Sequence, residues 1–180
     1  KDKSIAGWAG MSRWAVTFVD NHDTYRESGT KMDNDHNVLA ANALILSLPG
    51  TPCIFYPHWT AHKQALQAMI AARKLAGISN ESNILQQRAI CRGKGYRIRV
   101  EGSRGTILLD LGTPSDRKLD GYGCVWRGDN DNHNFAMYIS LDCMLAVGSR
   151  EKSVFFEAPA EWGDTVHAYA WRGRTEHTTA

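Results

Sequence analysis

Short apolar runs alternate with a longer helical pattern in the first third of the chain. The runs Trp14–Asp20 and Pro52–Tyr56 predict two buried strands. Between them, Asp35–Leu48 is apolar on nearly every face, which predicts a well-covered helix that the Pro-Gly pair at positions 49 and 50 ends. Two apolar strands joined by such a helix are typical of parallel strands covered by helices, so this part is predicted to be α/β.

A second helix is predicted over Ala61–Ala76, because its small and apolar residues fall on one stripe. Thr60 is the candidate N-cap, and Gly77 is expected to end the helix. Two strands are too few for a stable parallel sheet. We therefore expect the missing partner strands of this unit to come from elsewhere.

After position 77 the pattern changes to short strand candidates separated by glycine-rich and polar turns. The five candidates are Ile84–Ile90, Tyr96–Glu101, Thr106–Leu111, Gly123–Trp126 and Phe135–Ser140. This spacing predicts a small antiparallel β domain. Arg97 and Arg99 alternate with apolar residues, which predicts a solvated sheet face that carries the arginines. A nucleic-acid surface is the alternative, but only Tyr96 offers an aromatic ring among them.

The tail of the chain has a third pattern. Val154–Glu157 and Thr165–Trp171 are strand candidates. The second alternates, which places His167, Tyr169 and Trp171 on one face. Two strands do not make a stable domain, so the tail is predicted to be a partial β module. The expected domains are 1–77, 78–145 and 150–180.

Composition and charge are those of an ordinary globular protein. Of the 180 residues, 43% are apolar and 22% are charged, and a net charge of +2 does not indicate a nucleic-acid binder. The longest apolar stretch, Val38–Leu48, is too short to cross a bilayer. The sequence carries no signal-peptide pattern. Because the chain opens on Lys1 rather than on Met, we expect it to be a piece of something larger.

The cysteines carry no CxxC pair, which argues against a metal cluster. They are Cys53, Cys91, Cys124 and Cys143. Each lies in an apolar or strand-like setting, so we predict buried free thiols, with one disulfide as the alternative.

Polar residues follow both predicted strands of the first unit. The run Asp20–Asp23 follows the first strand, and His58 and Trp59 follow the second. Working residues of a helix-covered parallel sheet lie at the carboxyl ends of its strands, so these residues are expected to converge on one pocket. Three interpretations stay open: turn residues that bond backbone groups, a metal site that adds His62, or a site for a hydroxyl-rich ligand with Trp59 as a stacking platform.

Three segments carry a family resemblance. FVDNHD at Phe18–Asp23 resembles the fourth conserved region of glycoside hydrolase family 13, the α-amylase family. LPGTPCIFYPHW at Leu48–Trp59 resembles the seventh barrel helix and eighth strand, and MIAARKLAGI at Met69–Ile78 resembles the eighth helix. The resemblance implies the last two βα units of a (β/α)8 TIM barrel, followed by an antiparallel β-sandwich C-terminal domain. In overall character the sequence resembles amylases of gut Bacteroidetes.

The resemblance also implies residue roles. Family members use an Asp nucleophile and a Glu general acid for retaining hydrolysis. Asp23 matches the third catalytic carboxylate, which holds hydroxyls of the distorted sugar, and His22 matches the histidine that contacts the same sugar. Asn21 stands with them among the substrate-binding residues and, with Asp20, braces the loop. Pro57 stands where relatives often carry an acidic residue or Gly, so the local pocket shape differs from theirs.

Neither the nucleophile nor the general acid has a match in this chain, so the chain alone is predicted to be inactive. Both lie on earlier strands in the family, and the calcium-holding domain is also upstream. No cofactor or metal is therefore expected in this segment, and calcium is expected only for the intact enzyme. The implied partners are an α-glucan (starch or maltooligosaccharides) and the missing N-terminal part of the barrel, with neither a nucleic acid nor a membrane span. A secreted, periplasmic or cell-surface bacterial location, with a signal peptide upstream, is implied for the intact enzyme.

The tail carries a second resemblance. FEAPAEWGDTVHAYAW at Phe156–Trp171 resembles the opening strands of starch-binding modules of carbohydrate-binding module family 26. That likeness makes Tyr169 and Trp171 candidate glucose-stacking residues, while a sandwich core would be the structural use of the same aromatics. The alternative function is therefore a non-catalytic carbohydrate-binding or scaffold fragment.

Overall fold

The computed structural model describes residues 10–26, 31–32, 35–112, 119–128, 135–142, 149–156 and 169–175. Helices α1 to α4 span His22–Arg26, Asp35–Ser47, Tyr56–Ala61 and Lys63–Ala76. Strands β1 to β7 span Val16–Thr17, Thr51–Pro52, Asn83–Ile90, Gly95–Glu101, Gly105–Gly112, Gly123–Arg127 and Phe135–Leu141. Strands β8 and β9 span Ser149–Phe156 and Tyr169–Thr175.

The first two strands are parallel, as predicted. Val16 pairs with Thr51, and Thr17 pairs with Pro52. Both strands are shorter than the apolar runs that predicted them. The second run does not stay extended to Tyr56, because α3 begins there and Pro57 suits the first turn of a helix, where no backbone N–H is needed.

Helix α2 agrees with the predicted helix to within one residue. Arg73 of α4 forms hydrogen bonds at its C-terminal end. The buried guanidinium donates to the carbonyls of Leu46, Leu48 and Gly50 at 2.7–2.8 Å. These carbonyls lie at and just beyond the C-terminus of α2, where backbone acceptors lack helical partners. Burial lowers the pKa of Arg73 to about 10, so the side chain stays charged at neutral pH.

Helix α4 differs from its prediction at the start. The predicted N-cap, Thr60, lies inside α3, and its hydroxyl donates to the carbonyl of Pro57 at 2.9 Å. His62 is the N-cap of α4 instead. At the other end, Gly77 takes the left-handed conformation (φ 70°) and ends the helix, as predicted.

The middle of the chain forms a five-stranded antiparallel sheet in the order β3-β4-β5-β7-β6, so all five predicted strands are confirmed. Helices α2 and α4 pack on one face of this sheet. The buried cluster between them includes Leu46, Leu66, Met69, Ile107, Leu109, Phe135 and Met137. The apolar core is thus continuous across Gly77.

The prediction that Arg97 lies on a solvated face is wrong, because the residue is buried on the face of the sheet opposite the helices. Its guanidinium is buried and donates two hydrogen bonds to Asp110 on β5, at 2.6 and 2.7 Å. Arg97 and Asp110 are direct partners in the register of β4 and β5, so a bidentate pair replaces the expected solvated arginine. The hydrogen bonds to Asp110 raise the pKa of Arg97.

The tip of the β4–β5 hairpin is tied to the C-terminus of α4. The Ser103 N–H donates to Gly77 O at 3.1 Å, and the Arg104 N–H donates to Ala76 O at 3.0 Å. The Arg104 side chain donates to the carbonyls of Lys74 and Leu75. Gly102 allows this approach, since a Cβ there would lie 2.7 Å from the carbonyl carbon of Gly77. The hairpin therefore satisfies the last carbonyls of the helix and joins it to the sheet.

Strands β8 and β9 pair antiparallel, with Val154 opposite Trp171 and Phe156 opposite Tyr169. Residues 165–168 of the predicted strand Thr165–Trp171, which include His167, lie outside the described residues.

The expectation of buried thiols is wrong for Cys53 and Cys91, which are exposed, while Cys124 is half-buried. None of these three described cysteines forms a disulfide. Cys91 lies in the β3–β4 turn rather than in a strand, which explains its exposure. Cys143 lies outside the described residues.

Candidate functional site

The loop after β1 is organised by a reciprocal cap at the start of α1. Asn21 Oδ1 accepts hydrogen bonds from the N–H groups of Asp23 and Thr24, both at 2.9 Å. In return, Thr24 Oγ1 accepts from the Asn21 N–H at 3.0 Å. This is the geometry of an N-cap with its capping partner three residues later. The side-chain oxygen of Asn21 is therefore occupied within the loop.

His22 and Asp23 are presented to solvent by this cap. Their side chains are 73% and 74% exposed, and His22 Nε2 lies 3.3 Å from Asp23 Oδ1. An imidazole and a carboxylate side by side can donate to and accept from neighbouring hydroxyls. The arrangement suits a hydroxyl-bearing ligand.

Asp20 lies beneath them and is almost completely buried. Its Oδ1 accepts from the Thr24 hydroxyl at 3.2 Å, and its Oδ2 accepts from the Met32 N–H at 3.4 Å. Oδ2 also lies 3.2 Å from His58 Nε2, a polar contact that lacks hydrogen-bond geometry. The carboxylate thus joins the end of β1 to α1, to residue 32 and to α3.

His58 is buried and is held from its other side by Asn42 of α2. Asn42 Nδ2 donates to Val38 O at 2.8 Å and lies 3.3 Å from His58 Nδ1. The carbonyl of Val38 settles which end of the Asn42 amide is the donor, so His58 Nδ1 must accept. His58 is therefore neutral, with its proton on Nε2 facing Asp20. Burial lowers the pKa of His58, and this outweighs the opposing effect of Asp20.

Aromatic rings connect the two strand-end loops on the same side. Tyr25 packs edge-on against Phe55 with ring centroids 5.2 Å apart, and Phe55 packs edge-on against His58 at 5.4 Å. The Lys31 ammonium lies 5.3 Å from the centroid of Tyr25. The loops after β1 and β2 are thus in contact through side chains, as their parallel pairing requires.

The structure brings only some of the predicted site residues together at the surface. Asn21, His22 and Asp23 share one turn, but His58 lies beneath the loop rather than facing a ligand, because only 5% of its side chain is exposed. Trp59 is half-buried and packs against the apolar core, so part of its ring is used in packing.

The roles assigned to the tail aromatics stay predictions. Tyr169 and Trp171 lie two residues apart in β9. The contact of Asn42 with His58 was not predicted, because in the sequence Asn42 is only a single amide within an apolar helix.

Within the described part of the chain, no group of three or more His, Cys, Asp or Glu side chains could hold a metal ion. Among the same residues, none of the helices has the length and apolar character that crossing a membrane requires.

Comparison with known proteins places this geometry in context. No family model matches the chain. It is 38% identical over 86 residues to an alpha-amylase type B isozyme of Hordeum vulgare, a match that covers 47% of this chain and 55% of that protein. It is 35% identical over 136 residues to a glucan 1,4-alpha-maltotetraohydrolase of Stutzerimonas stutzeri, covering 62% of this chain and 24% of that protein. The chain therefore spans about half of the first relative's length and about a quarter of the second's.

A solved structure shares the fold. The chain superimposes on a gamma-CGTase from alkalophilic Bacillus clarkii with a TM-score of 0.51 and 14% identity, over 77% of this chain and 28% of that one. These similarities support a relationship to α-amylase-type enzymes, those of glycoside hydrolase family 13. Within that class, the chain is similar to plant α-amylases and to bacterial maltotetraohydrolases.

Proposed function

We propose that the chain is the C-terminal portion of an α-amylase-type glycoside hydrolase, and that the intact enzyme hydrolyses α-1,4-glucosidic bonds of starch-like glucans with retention. The observation that carries the proposal is Asp23 beside His22, both exposed at the carboxyl end of a strand that pairs in parallel with the next. That is where barrel enzymes keep their reacting groups. The relatives named alpha-amylase and maltotetraohydrolase support this choice of substrate class.

Asp23 acts in this proposal as the stabilising carboxylate. It accepts hydrogen bonds from hydroxyls of the sugar next to the scissile bond, and its charge favours the oxocarbenium-like transition state. Since that interaction strengthens as positive charge develops on the ring, it contributes to rate as well as to binding. His22, 3.3 Å away, donates to a hydroxyl of the same sugar. The nucleophile and the general acid come from the missing part, so the chain alone is inactive.

The parallel strands support the proposal that a larger barrel is the partner. Trp14, Val16 and Phe18 are 72%, 64% and 50% exposed. Trp14 ends a short 3-10 helix, Val16 lies in β1 and Phe18 follows that strand, so these three leave an exposed apolar face beside the two-stranded sheet. We assign the cover of this face to the N-terminal strands of a (β/α)8 barrel, of which the units containing β1 and β2 would be the last two.

A direct test is calorimetric titration of the 180-residue chain with maltoheptaose. Asp23→Asn is expected to weaken binding at least tenfold, because a neutral amide accepts a weaker hydrogen bond than a carboxylate. The matched control is Asp120→Asn, the same change at an exposed turn, and it should leave the affinity unchanged. Hydrolysis of maltoheptaose by the purified chain would contradict the assignment of the nucleophile and the acid to the missing part.

The alternative is a non-catalytic carbohydrate-binding fragment, and the spacing of Tyr169 and Trp171 in β9 is the observation that favours it. If Tyr169→Ala and Trp171→Ala abolish maltoheptaose binding while Asp23→Asn leaves it unchanged, this alternative replaces the first proposal. Both proposals place the intact protein outside the cytoplasm of a bacterium, where glucan polymers are met.

A further inference from the structure

The geometry points to Asp20, His58 and Asn42 as positioning residues: they form a buried polar chain that fixes the loop presenting His22 and Asp23. The consequence for glucan binding rests on the function proposed above. The fixing of the loop does not, and it can be measured without a ligand.

The series of contacts links three helices and the loop after β1. Asn42 on α2 meets His58 on α3, His58 meets Asp20 after β1, and Asp20 accepts from the Thr24 hydroxyl on α1. Thr24 in turn accepts from the Asn21 N–H within the cap that presents His22 and Asp23. The exposed pair is therefore connected to the packed helices through polar contacts at each step.

Burial of these groups is the second argument. Asn42, His58 and Asp20 are exposed by 0%, 4% and 3%. Placing polar groups where water is excluded costs free energy unless each finds a partner in a fixed geometry. Asn42 Oδ1 and His58 Nε2 have no hydrogen-bond partner among the described residues, although Nε2 lies 3.2 Å from Asp20 Oδ2, so this site is not arranged for maximum stability. The remaining polar contacts are directional, so they can fix the orientation of the loop. Apolar side chains filling the same space could not.

The positions of the protons decide which group donates and which accepts in this series of contacts. Asn42 must donate to His58 Nδ1, because its amide nitrogen also donates to Val38 O. His58 then carries its proton on Nε2, toward the Asp20 carboxylate. Among the described residues, the groups that contact or electrostatically influence this imidazole are Asp20, Asn42, His62 and the ring of Phe55. Asn42 orients His58, and His58 lies against Asp20. The position of Asp20 therefore depends on a residue of α2.

The test uses the full 180-residue chain and two measurements without ligand. Nitrogen NMR of the wild type is expected to show His58 as the Nε2–H tautomer, and the Nδ1–H tautomer would overturn the inference. Hydrogen exchange is expected to accelerate about tenfold at the Thr24 and Tyr25 amides in His58→Leu, whereas His58→Gln, which keeps an N–H donor for Asp20, should restore much of the protection. Equal exchange in His58→Leu and the wild type would also overturn it.

Maltoheptaose titration of the same proteins separates this inference from the proposed function. If the wild type binds and His58→Leu weakens binding while the core amides of Ile98 and Leu109 keep their protection, both ideas are supported. If the wild type does not bind, the proposed function fails, and the tautomer and exchange results still decide the positioning role. If His58→Leu does not fold, the wild-type tautomer and the protection in His58→Gln remain decisive.

Discussion

Arg73 offers the sharpest test of how the first unit is held together. Replacing it with Met keeps an unbranched apolar stem but removes the donors to Leu46, Leu48 and Gly50, which are bonded at 2.7–2.8 Å. All three carbonyls sit on residues that are buried. A buried acceptor that loses its partner costs about 1–3 kcal/mol. We take about 1 kcal/mol for each carbonyl, because the cost of burying the guanidinium disappears at the same time.

The expected loss for Arg73→Met is therefore about 3 kcal/mol in the free energy of unfolding, measured by urea denaturation. Arg73→Lys should lie between the two, because one ammonium cannot match the fork of a guanidinium. The matched control is Lys74→Met, an exposed neighbour on the same helix, which should change stability by less than about 0.5 kcal/mol. A loss for Arg73→Met no larger than that of the control would refute the reasoning.

Three further predictions concern other contacts. Asp110→Asn leaves the charge of buried Arg97 uncompensated and should cost about 3 kcal/mol of unfolding free energy, whereas Arg97→Met combined with Asp110→Leu should recover most of that loss. Gly102→Ala should cost about 1–3 kcal/mol in the same assay, because its Cβ would meet the backbone of Gly77. His58 has a lowered folded-state pKa, so its contribution is complete above the unfolded value of 6.5 and declines as the pH falls below it; His58→Gln should flatten this part of the pH–stability curve.

Each of these has an outcome that would count against it. A double variant at positions 97 and 110 as unstable as Asp110→Asn would show that packing, not charge, dominates that site. A Gly102→Ala protein with wild-type stability would mean that the hairpin can move away from α4. Wild type and His58→Gln with parallel stability curves between pH 5 and 7 would show that His58 does not titrate differently on folding.

Much of the sheet could be predicted because its signals are local. Alternating residues and glycine-rich turns mark β3 to β7 one strand at a time, and the structure keeps each within a few residues of its prediction. Helix α2 is equally local, since its apolar run ends at a Pro-Gly pair. Pro57, by contrast, suited the first turn of α3 and ended an extended run that looked like a strand.

The candidate site, too, could be predicted only in part from the sequence. The run Asp20–Asp23 after an apolar strand was visible in the sequence, and so were the parallel pairing and the strand end on which His22 and Asp23 stand. The sequence could not show that His58 lies beneath the loop, because its orientation depends on Asn42, sixteen residues away on another helix.

The sequence by itself determined the two long helices and the five strands of the antiparallel sheet, and which strand end carries the exposed carboxylate, because these follow from periodicity and from backbone preferences of neighbouring residues. Only the tertiary structure decided which polar groups are buried and with what partner. Arg97 looked solvated until the register of β4 and β5 placed Asp110 against it. Burial depends on what packs across from a residue, and that partner is set by the fold of the chain as a whole.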